Sequence, residues 1–391
     1  MNKKQRLYVL LLSLSLLYLL YLIISIYSEG KLFYPQSYGI QLFFLELTVV
    51  IIIILSFLFL FDRYEVYKKI GFFSIYIHIV EAIGIAILII FVSALGGVIL
   101  YNFNSSSQNI KKNHFSIGIY HSESIDPLNF SGEFVENPVL TALDISDRKA
   151  KFIADPFLIY DNGSFYMFFE VFNTITSKGD IGLAESTDGI NWVYNQIVLE
   201  ESFHLAYPCV FKYENEYYMI PETKAAHSIR LYKAHDFPFN WSFEKTLLGG
   251  AGFVDSTIFY YNDTWWLFTE SENDYSLYLY FSDTPLGDWV EHPRNPIISH
   301  DANISRPGGN IIVDNGRIFR YAQDCYPTYG NQVWAFEITE LTRNAYTEKR
   351  IGTTPLLKGY DSWNIIGMHH ISICKIENKW IASVDGNGYY S

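Results

Sequence analysis

Cysteine is scarce: the 391 residues include three, Cys209, Cys325 and Cys374. Thiols so few and so far apart make neither a disulfide framework nor a zinc site, so they are read as small buried hydrophobes. Positive charge is short too. Residues 113–391 hold 19 Lys and Arg against 36 Asp and Glu. Such a domain lacks the basic face that phosphate backbones need, which argues against nucleic acid as a partner. Long helical periodicity is missing from residue 114 onward. What the chain does have is 50% hydrophobic and 18% aromatic residues, enough for a membrane segment plus one large domain. An acidic, aromatic-rich domain suits neutral polar ligands such as sugars.

The hydrophobic residues concentrate at the start. Residues 7–27 carry no charge, 40–61 are interrupted only by Glu46, and 82–101 are again uncharged. Each run is long enough to span a bilayer, and the first has no small-residue cleavage site, so it reads as an uncleaved helix. The expectation is three transmembrane helices within 1–101. Lys3, Lys4 and Arg6 precede the first span, and Arg63, Lys68 and Lys69 separate the second from the third. The positive-inside rule then places the N-terminus in the cytoplasm and residues 102–391 outside, with the bilayer itself as a partner. Lys111 and Lys112 run against the rule without reversing it. Glu46, His78 and Glu81 fall in or near spans, where ionisable groups attract functional suspicion. Each is near a helix end, so reaching the interface or pairing with a neighbouring helix is the stronger reading. Residues 102–113 form a polar linker.

The remainder, 114–391, is organised by a repeat. DPFLIYDNGSFYMFFE at 155–170 reads as two strands around an Asn162-Gly163 turn. It returns at 207–222, 255–270 and 370–385, and more loosely at 306–323 with two extra residues before its turn. An aromatic stands ten places after the head residue in four copies (Phe165, Tyr217, Trp265, Trp380), and Ile318 takes that place in the loose one. An acid stands fifteen places after it (Glu170, Glu222, Glu270, Asp385), replaced by Gln323 in the loose copy. The first three units add two more strand-like runs each. Four strands at a period near fifty residues is the signature of β-propeller blades. The predicted fold is an all-β five-bladed propeller behind an α-helical membrane segment. The last copy is short of strands, and residues 115–121 with the segment after them can supply the missing outer ones, closing the ring and removing its open edge.

A propeller brings its innermost strands to one axis, so the heads Asp155, Tyr207, Asp255, Arg306 and His370 are expected at one mouth of the channel. Such a polar set is not what a core would choose, although Asp155 and Asp255 could simply pair with Arg306. The tenth-place aromatics are expected between blades. Glu170, Glu222 and Glu270 should lie near the same rim.

These heads and flanks carry a resemblance. FIADPFLIYDNGSFYMFFEVFN, LAYPCVFKYENEYYMIPET, FVDSTIFYYNDTWWLFTE, RPGGNIIV, RYAQDCYPTYGNQVWAFEITELT and GMHHISI closely resemble the N-terminal propeller domain of glucosamine inositolphosphorylceramide transferases and their bacterial relatives. The resemblance covers about 114–391. That domain is in turn similar to the arabinanase, xylosidase and invertase propeller hydrolases. The likeness implies Asp155 as base or nucleophile and Asp255 as the residue that tunes it. The family's general acid has no match, because Arg306 heads the fourth blade, so a displaced Glu222 or Glu270 must stand in. It also implies a channel cation near His370. Arg306, His370, Tyr207, Glu170, Asp324 and His369 are the substrate-binding candidates. Arg306 beside Gly308-Gly309, with free backbone N–H groups, points to an anionic group on the ligand.

The plant transferases carry a separate catalytic domain after the propeller, which this chain does not show, and it contains no Asp-x-Asp triplet of the kind many sugar-nucleotide transferases use. The expected function is therefore a membrane-anchored propeller that binds, and hydrolyses or transfers, a cell-surface glycan or glycolipid head group. The alternatives are a non-catalytic glycan binder and an accessory subunit for a partner glycosyltransferase.

Overall fold

The computed structural model describes residues 114–122, 129–250, 252–377 and 379–389. The three expected spans and the linker lie outside the described residues. Among those described, no helix is long and apolar enough to cross a membrane.

Strand β1 (His114–Ser122) is followed by four sheets in sequence order. The first is β2 (Ala150–Asp161), β3 (Ser164–Asn173), β4 (Lys178–Ser186) and β5 (Val193–Leu199). The second is β6 (Ala206–Tyr213), β7 (Glu216–Glu222), β8 (Ser228–Asp236) and β9 (Asn240–Gly249). The third is β10 (Phe253–Tyr261), β11 (Thr264–Ser271), β12 (Ser276–Ser282) and β13 (Val290–Glu291). The fourth is β14 (Ile312–Asp314), β15 (Arg317–Asp324), β16 (Gln332–Leu341) and β17 (Tyr346–Arg350), with β18 (Leu357–Lys358) also on β16. The fifth pairs β19 (Ile371–Ile376) with β20 (Lys379–Gly388), and β20 with β1, in register from His114 opposite Gly388 to Ser122 opposite Trp380. The opening strand thus completes the closing blade, and bridges from Leu140 to Ile117 and from Ser131 to His121 extend it outward. All neighbouring strands are antiparallel, the meander expected of each blade.

The innermost hairpins turn where the sequence placed them. Both turn residues have positive φ at Asn162-Gly163, Glu214-Asn215, Asn262-Asp263 and Asn315-Gly316. That geometry matches the right-handed twist of the flanking strands. In the third blade only Val290–Glu291 of the run 289–298 is a strand, and Ile298 adds a single bridge to Leu277.

Among the described residues the core is five clusters, and each is the seam between two successive blades. Phe165 packs with Ile381 and Ile117 between the last blade and the first. Tyr217 joins Phe168 between the first and second, and Trp265 joins Tyr218 between the second and third. Ile318 joins Phe268 between the third and fourth, and Trp380 joins Phe319 between the fourth and fifth. The tenth-place residue therefore locks its blade against the one before. Burying such a ring contributes about 1.5–3 kcal/mol. The three cysteines are unpaired, and Cys209 is packed in the second-to-third seam.

Candidate functional site

The strand heads are built into β-bulges. In the first three blades the register slips by one residue at Asp155, Tyr207 and Asp255, between Ala154 and Phe157, Ala206 and Cys209, and Val254 and Thr257. Each head has a left-handed backbone, with φ of 54°, 46° and 48°. Non-glycine residues there cost about 1–3 kcal/mol each and persist only where the surroundings enforce them, and bulges of this kind redirect a side chain. The fifteenth-place acid stands opposite the residue before each head: Glu170 faces Ala154, Glu222 faces Ala206 and Glu270 faces Val254. Head and acid thereby meet at one end of the innermost hairpin.

On the side of the fifth blade, the hub is Asp385. Its Oδ1 accepts the His369 N–H at 3.1 Å, the His370 N–H at 3.1 Å and the His369 Nδ1–H at 2.9 Å. Its Oδ2 accepts the Asp155 N–H at 3.1 Å. His369 Nε2 then lies 3.2 Å from Asp155 Oδ1, so one imidazole sits between two carboxyls. Burial opposes charge on His369, but Asp385 and Asp155 override it and raise its pKa well above the usual histidine range. Burial likewise opposes charge on Asp155, yet the His369 contact, with His370 and Arg306, holds it at about 2. The His369 contact is off the line of a hydrogen bond, so Asp155 Oδ1 keeps an unfilled acceptor direction.

The opposite side centres on Arg306. Its Nε donates to Asp255 Oδ2 at 2.6 Å, while its terminal nitrogens lie 3.6 Å from Glu222 and 3.8 Å from Glu270. Its guanidinium covers the Tyr329 ring at 5.2 Å. Gln323 also donates to Asp255 Oδ2, at 2.6 Å, and Ser305 donates to Glu270 at 2.5 Å. Burial and the charge of Asp255 push Glu222 up to about 8 against the pull of Arg306. Burial pushes Glu270 up to about 7 against Arg306 and Ser305. Burial, then Asp155 and Glu222, raise Glu170 well above the carboxylate range. Its Oε1 has no hydrogen-bond partner, although His204 Nε2 approaches to 3.6 Å.

The structure thus brings together Asp155, Asp255, Glu170, Glu222, Glu270, Arg306, His369 and His370. Of the two expected Arg306 pairings, that with Asp255 is present, whereas Asp155 turns to His369. Of the two remaining candidates, Tyr207 packs its ring edge-on against His370 at 5.1 Å, and Asp324 stands elsewhere. The Tyr207 hydroxyl lies fully buried, bonded to Thr257 Oγ1 at 2.8 Å and to the Gly309 N–H at 2.8 Å, a strut between blades. Asp324 follows Gln323 on β15 and so points to the opposite face. There it accepts from Gln332 and Trp334 beside a separate cavity with Asp301, Asn303 and Arg350.

One expectation is corrected. The Gly308 and Gly309 N–H groups are not free for an anion. They donate to the Tyr321 carbonyl and the Tyr207 hydroxyl. The two extra residues of the fourth repeat carry Gly309 against the fifth blade, where an added Cβ would lie 1.7 Å from the Ile371 carbonyl oxygen. Arg306 is similarly committed, to three acids. Nothing in this geometry leaves a cationic cradle for phosphate or carboxylate.

The implied channel cation finds a fitting donor set. Both ring nitrogens of His370 are buried without a hydrogen-bond partner, Nδ1 lies 3.8 Å from the underused Asp155 Oδ1, and burial lowers the His370 pKa. A neutral imidazole and a carboxylate oxygen suit a cation or a ligand hydroxyl. His369 is unsuited, since both its nitrogens face carboxyls. Asp385 and Gln323, to which the sequence assigned no role, carried the fifteenth-place signal. His204, Ser305 and Tyr329 carried none.

These features define a class: a five-bladed propeller with a carboxyl-rich axial site. The chain belongs to the family described as "Glucosamine inositolphosphorylceramide transferase 1, N-terminal", which matches residues 111–387. It is 36% identical over 297 residues to glucosamine inositolphosphorylceramide transferase 1 of Oryza sativa subsp. japonica, covering 70% of this chain and 40% of that one. The protein of the same name from Arabidopsis thaliana is 34% identical over 297 residues, with coverage of 70% and 39%. The chain thus spans about two fifths of the length of these curated relatives. Among solved structures it is similar to the β-1,2-mannobiose phosphorylase of Listeria innocua, with a TM-score of 0.49, 13% identity and coverage of 68% and 96%. It is also similar to a family 117 glycoside hydrolase of Zobellia galactanivorans, with a TM-score of 0.42, 14% identity and coverage of 71% and 92%.

Proposed function

We propose that the propeller takes a sugar head group into its axial site and acts on a glycosidic bond by proton transfer between carboxyls. One observation carries this reading: carboxyls in a single buried site are held in opposite protonation states, Asp155 at about 2 and Glu222 at about 8. Pairs pushed apart in this way supply an acid and a base at neutral pH. Glu222, neutral at pH 7, can protonate the leaving oxygen while ionised Asp155 attacks the anomeric carbon or activates the incoming hydroxyl. Arg306 holds Glu222 and Glu270 in place. Glu270, at about 7, can replenish the proton. A cation held at His370 would orient sugar hydroxyls.

The ligand is neutral or positively charged. Asp155 Oδ1 and Glu170 Oε1 are the buried carboxyl oxygens left without hydrogen bonds in this cluster, and an ammonium or hydroxyl would satisfy them. The glucosamine in the relatives' names is a sugar of this kind. The setting we propose is the outer face of a membrane, with residues 1–101 as the anchor and a glycan or glycolipid as substrate.

The test compares the wild type with Asp155→Asn and Glu222→Gln on a panel of glucosamine-containing glycans and glycolipids. Turnover should fall by at least about 10²-fold in each variant, with binding retained. Binding without turnover in all three proteins would leave a non-catalytic sugar binder. That second reading, extended to an accessory role beside a glycosyltransferase, is favoured by one fact: the matched family region is the N-terminal part of much longer relatives. Co-purification of a transferase in mild detergent would support it.

A further inference from the structure

The inner hairpins do not all reach the same height at the axial site. Strand β2 starts at Ala150, five residues ahead of its head Asp155, whereas β6 starts one residue ahead of Tyr207 and β10 two ahead of Asp255. Strand β3 likewise runs three residues past Glu170, while β7 stops at Glu222 and β11 one residue past Glu270. The first blade therefore lifts its inner hairpin beyond the carboxyl ring, and beside it β20 of the fifth blade runs three residues past Asp385, paired there with β1.

That extension carries Phe152 and Phe172, stacked with centroids 5.0 Å apart and planes 19° apart. Phe115 of β1 meets Phe152 at 6.2 Å and the His369 ring at 4.7 Å. At the far end Phe172 meets His204 at 6.3 Å, and His204 reaches Glu170. The rings thus form an arc whose two ends touch the two sides of the site. All three phenylalanines are half-exposed, and among the described residues none belongs to the five seams that form the core. They lie outside the packed seams that hold the blades together.

We infer that this wall is a second sugar subsite: Phe152 and Phe172 receive the apolar face of the ring next to the one held among the carboxyls. The inference rests on the sugar-binding reading above and deepens it, since the ligand must then extend at least two rings. Three points favour a sugar over an apolar guest. The wall is continuous with the carboxyl site. Lys151, 5.7 Å from the Phe172 ring, and His204 supply polar edges. A flat apolar face bordered by polar groups is what a pyranose presents in turn, and aromatic linings with a few placed polar groups are how small-molecule sites take such ligands.

The test uses the full chain in detergent, with glucosamine and a glucosamine-terminated disaccharide as probes, titrated by calorimetry. The wild type should bind the disaccharide about tenfold more tightly, equivalent to about 1.4 kcal/mol. Phe172→Ala and Phe152→Ala should remove that advantage and leave glucosamine affinity within about twofold of the wild type. Phe172→Leu, which keeps apolar bulk and guards against a folding artefact, should remove it as well. An advantage that survives Phe172→Leu overturns the inference. So does an octyl glucosaminide that gains as much as the disaccharide, which would assign the wall to an acyl chain. Binding of glucosamine with no disaccharide advantage refutes this subsite alone, while failure of both probes refutes the underlying sugar-site reading with it.

Discussion

Asp385→Asn isolates the hub of the site. The substitution keeps size and shape but exchanges one carboxylate oxygen for an NH₂ group. Whichever way the amide turns, an NH₂ faces a donor: the Asp155 N–H if it replaces Oδ2, or the two histidine N–H groups and Nδ1–H if it replaces Oδ1. At least one buried donor is left unpaired, at about 1–3 kcal/mol, and a charge-assisted bond to His369 is weakened, at about 1.5–3 kcal/mol. Together they come to about 2.5–6 kcal/mol; the middle of that range, about 3–5 kcal/mol, is the cost of breaking a buried ion pair from one side. At about 2 °C per kcal/mol for a domain of this size, the melting temperature should fall by roughly 6–10 °C. Near-UV circular dichroism of the full chain at pH 7 measures it. The pKa values should move as well. Without Asp385, His369 loses its main support and titrates lower, and Asp155 rises from about 2 as the imidazolium disappears. Imidazole NMR of His369 reads the first shift directly. A variant that melts within about 1 °C of the wild type, with His369 still charged at neutral pH, would refute the claim that Asp385 organises this side of the site.

Other outcomes follow from the same geometry. Glu222 and Glu270 have folded pKa values of about 8 and about 7, raised above their unfolded value. Their contribution to stability is fully present below about pH 4.5 and is lost as pH rises through 7 to 8. Arg306→Met should accentuate this, costing about 3–5 kcal/mol at pH 8.5 and clearly less at pH 5.5, where Glu222 and Glu270 are protonated; a pH-independent loss in thermal melts would contradict the arrangement. Tyr207→Phe removes the partner of the buried Gly309 N–H and should cost about 1–3 kcal/mol in denaturant unfolding. Sugar affinity should be unchanged, since that hydroxyl is a strut; a selective loss of binding with normal stability would return Tyr207 to the ligand.

The repeat determined much by itself. Positions counted from each head fixed the number of blades, the hairpin turns and the seam residues from Phe165 to Trp380, because a blade must bury the same face each time it recurs. It also offered residues 115–121 to complete the fifth blade, since an open sheet edge is a liability, and β1 takes that place. Heads and fifteenth-place acids were legible as a set for the same reason. What each of them does was not. Whether Asp155 pairs with Arg306 or with His369 depends on residues 151 and 214 positions away, and only ring closure sets those distances. Adjacent residues on a strand face opposite ways, so Gln323 enters the site and Asp324 leaves it, a choice that hangs on register. The left-handed bulges at Asp155, Tyr207 and Asp255 have no sequence signature, because they are imposed by neighbouring blades. The commitments of Arg306 and the Gly308-Gly309 amides, which turned an expected anion site into a carboxyl-rich one, were likewise decided in three dimensions: a donor is free or spent according to what tertiary packing places opposite it.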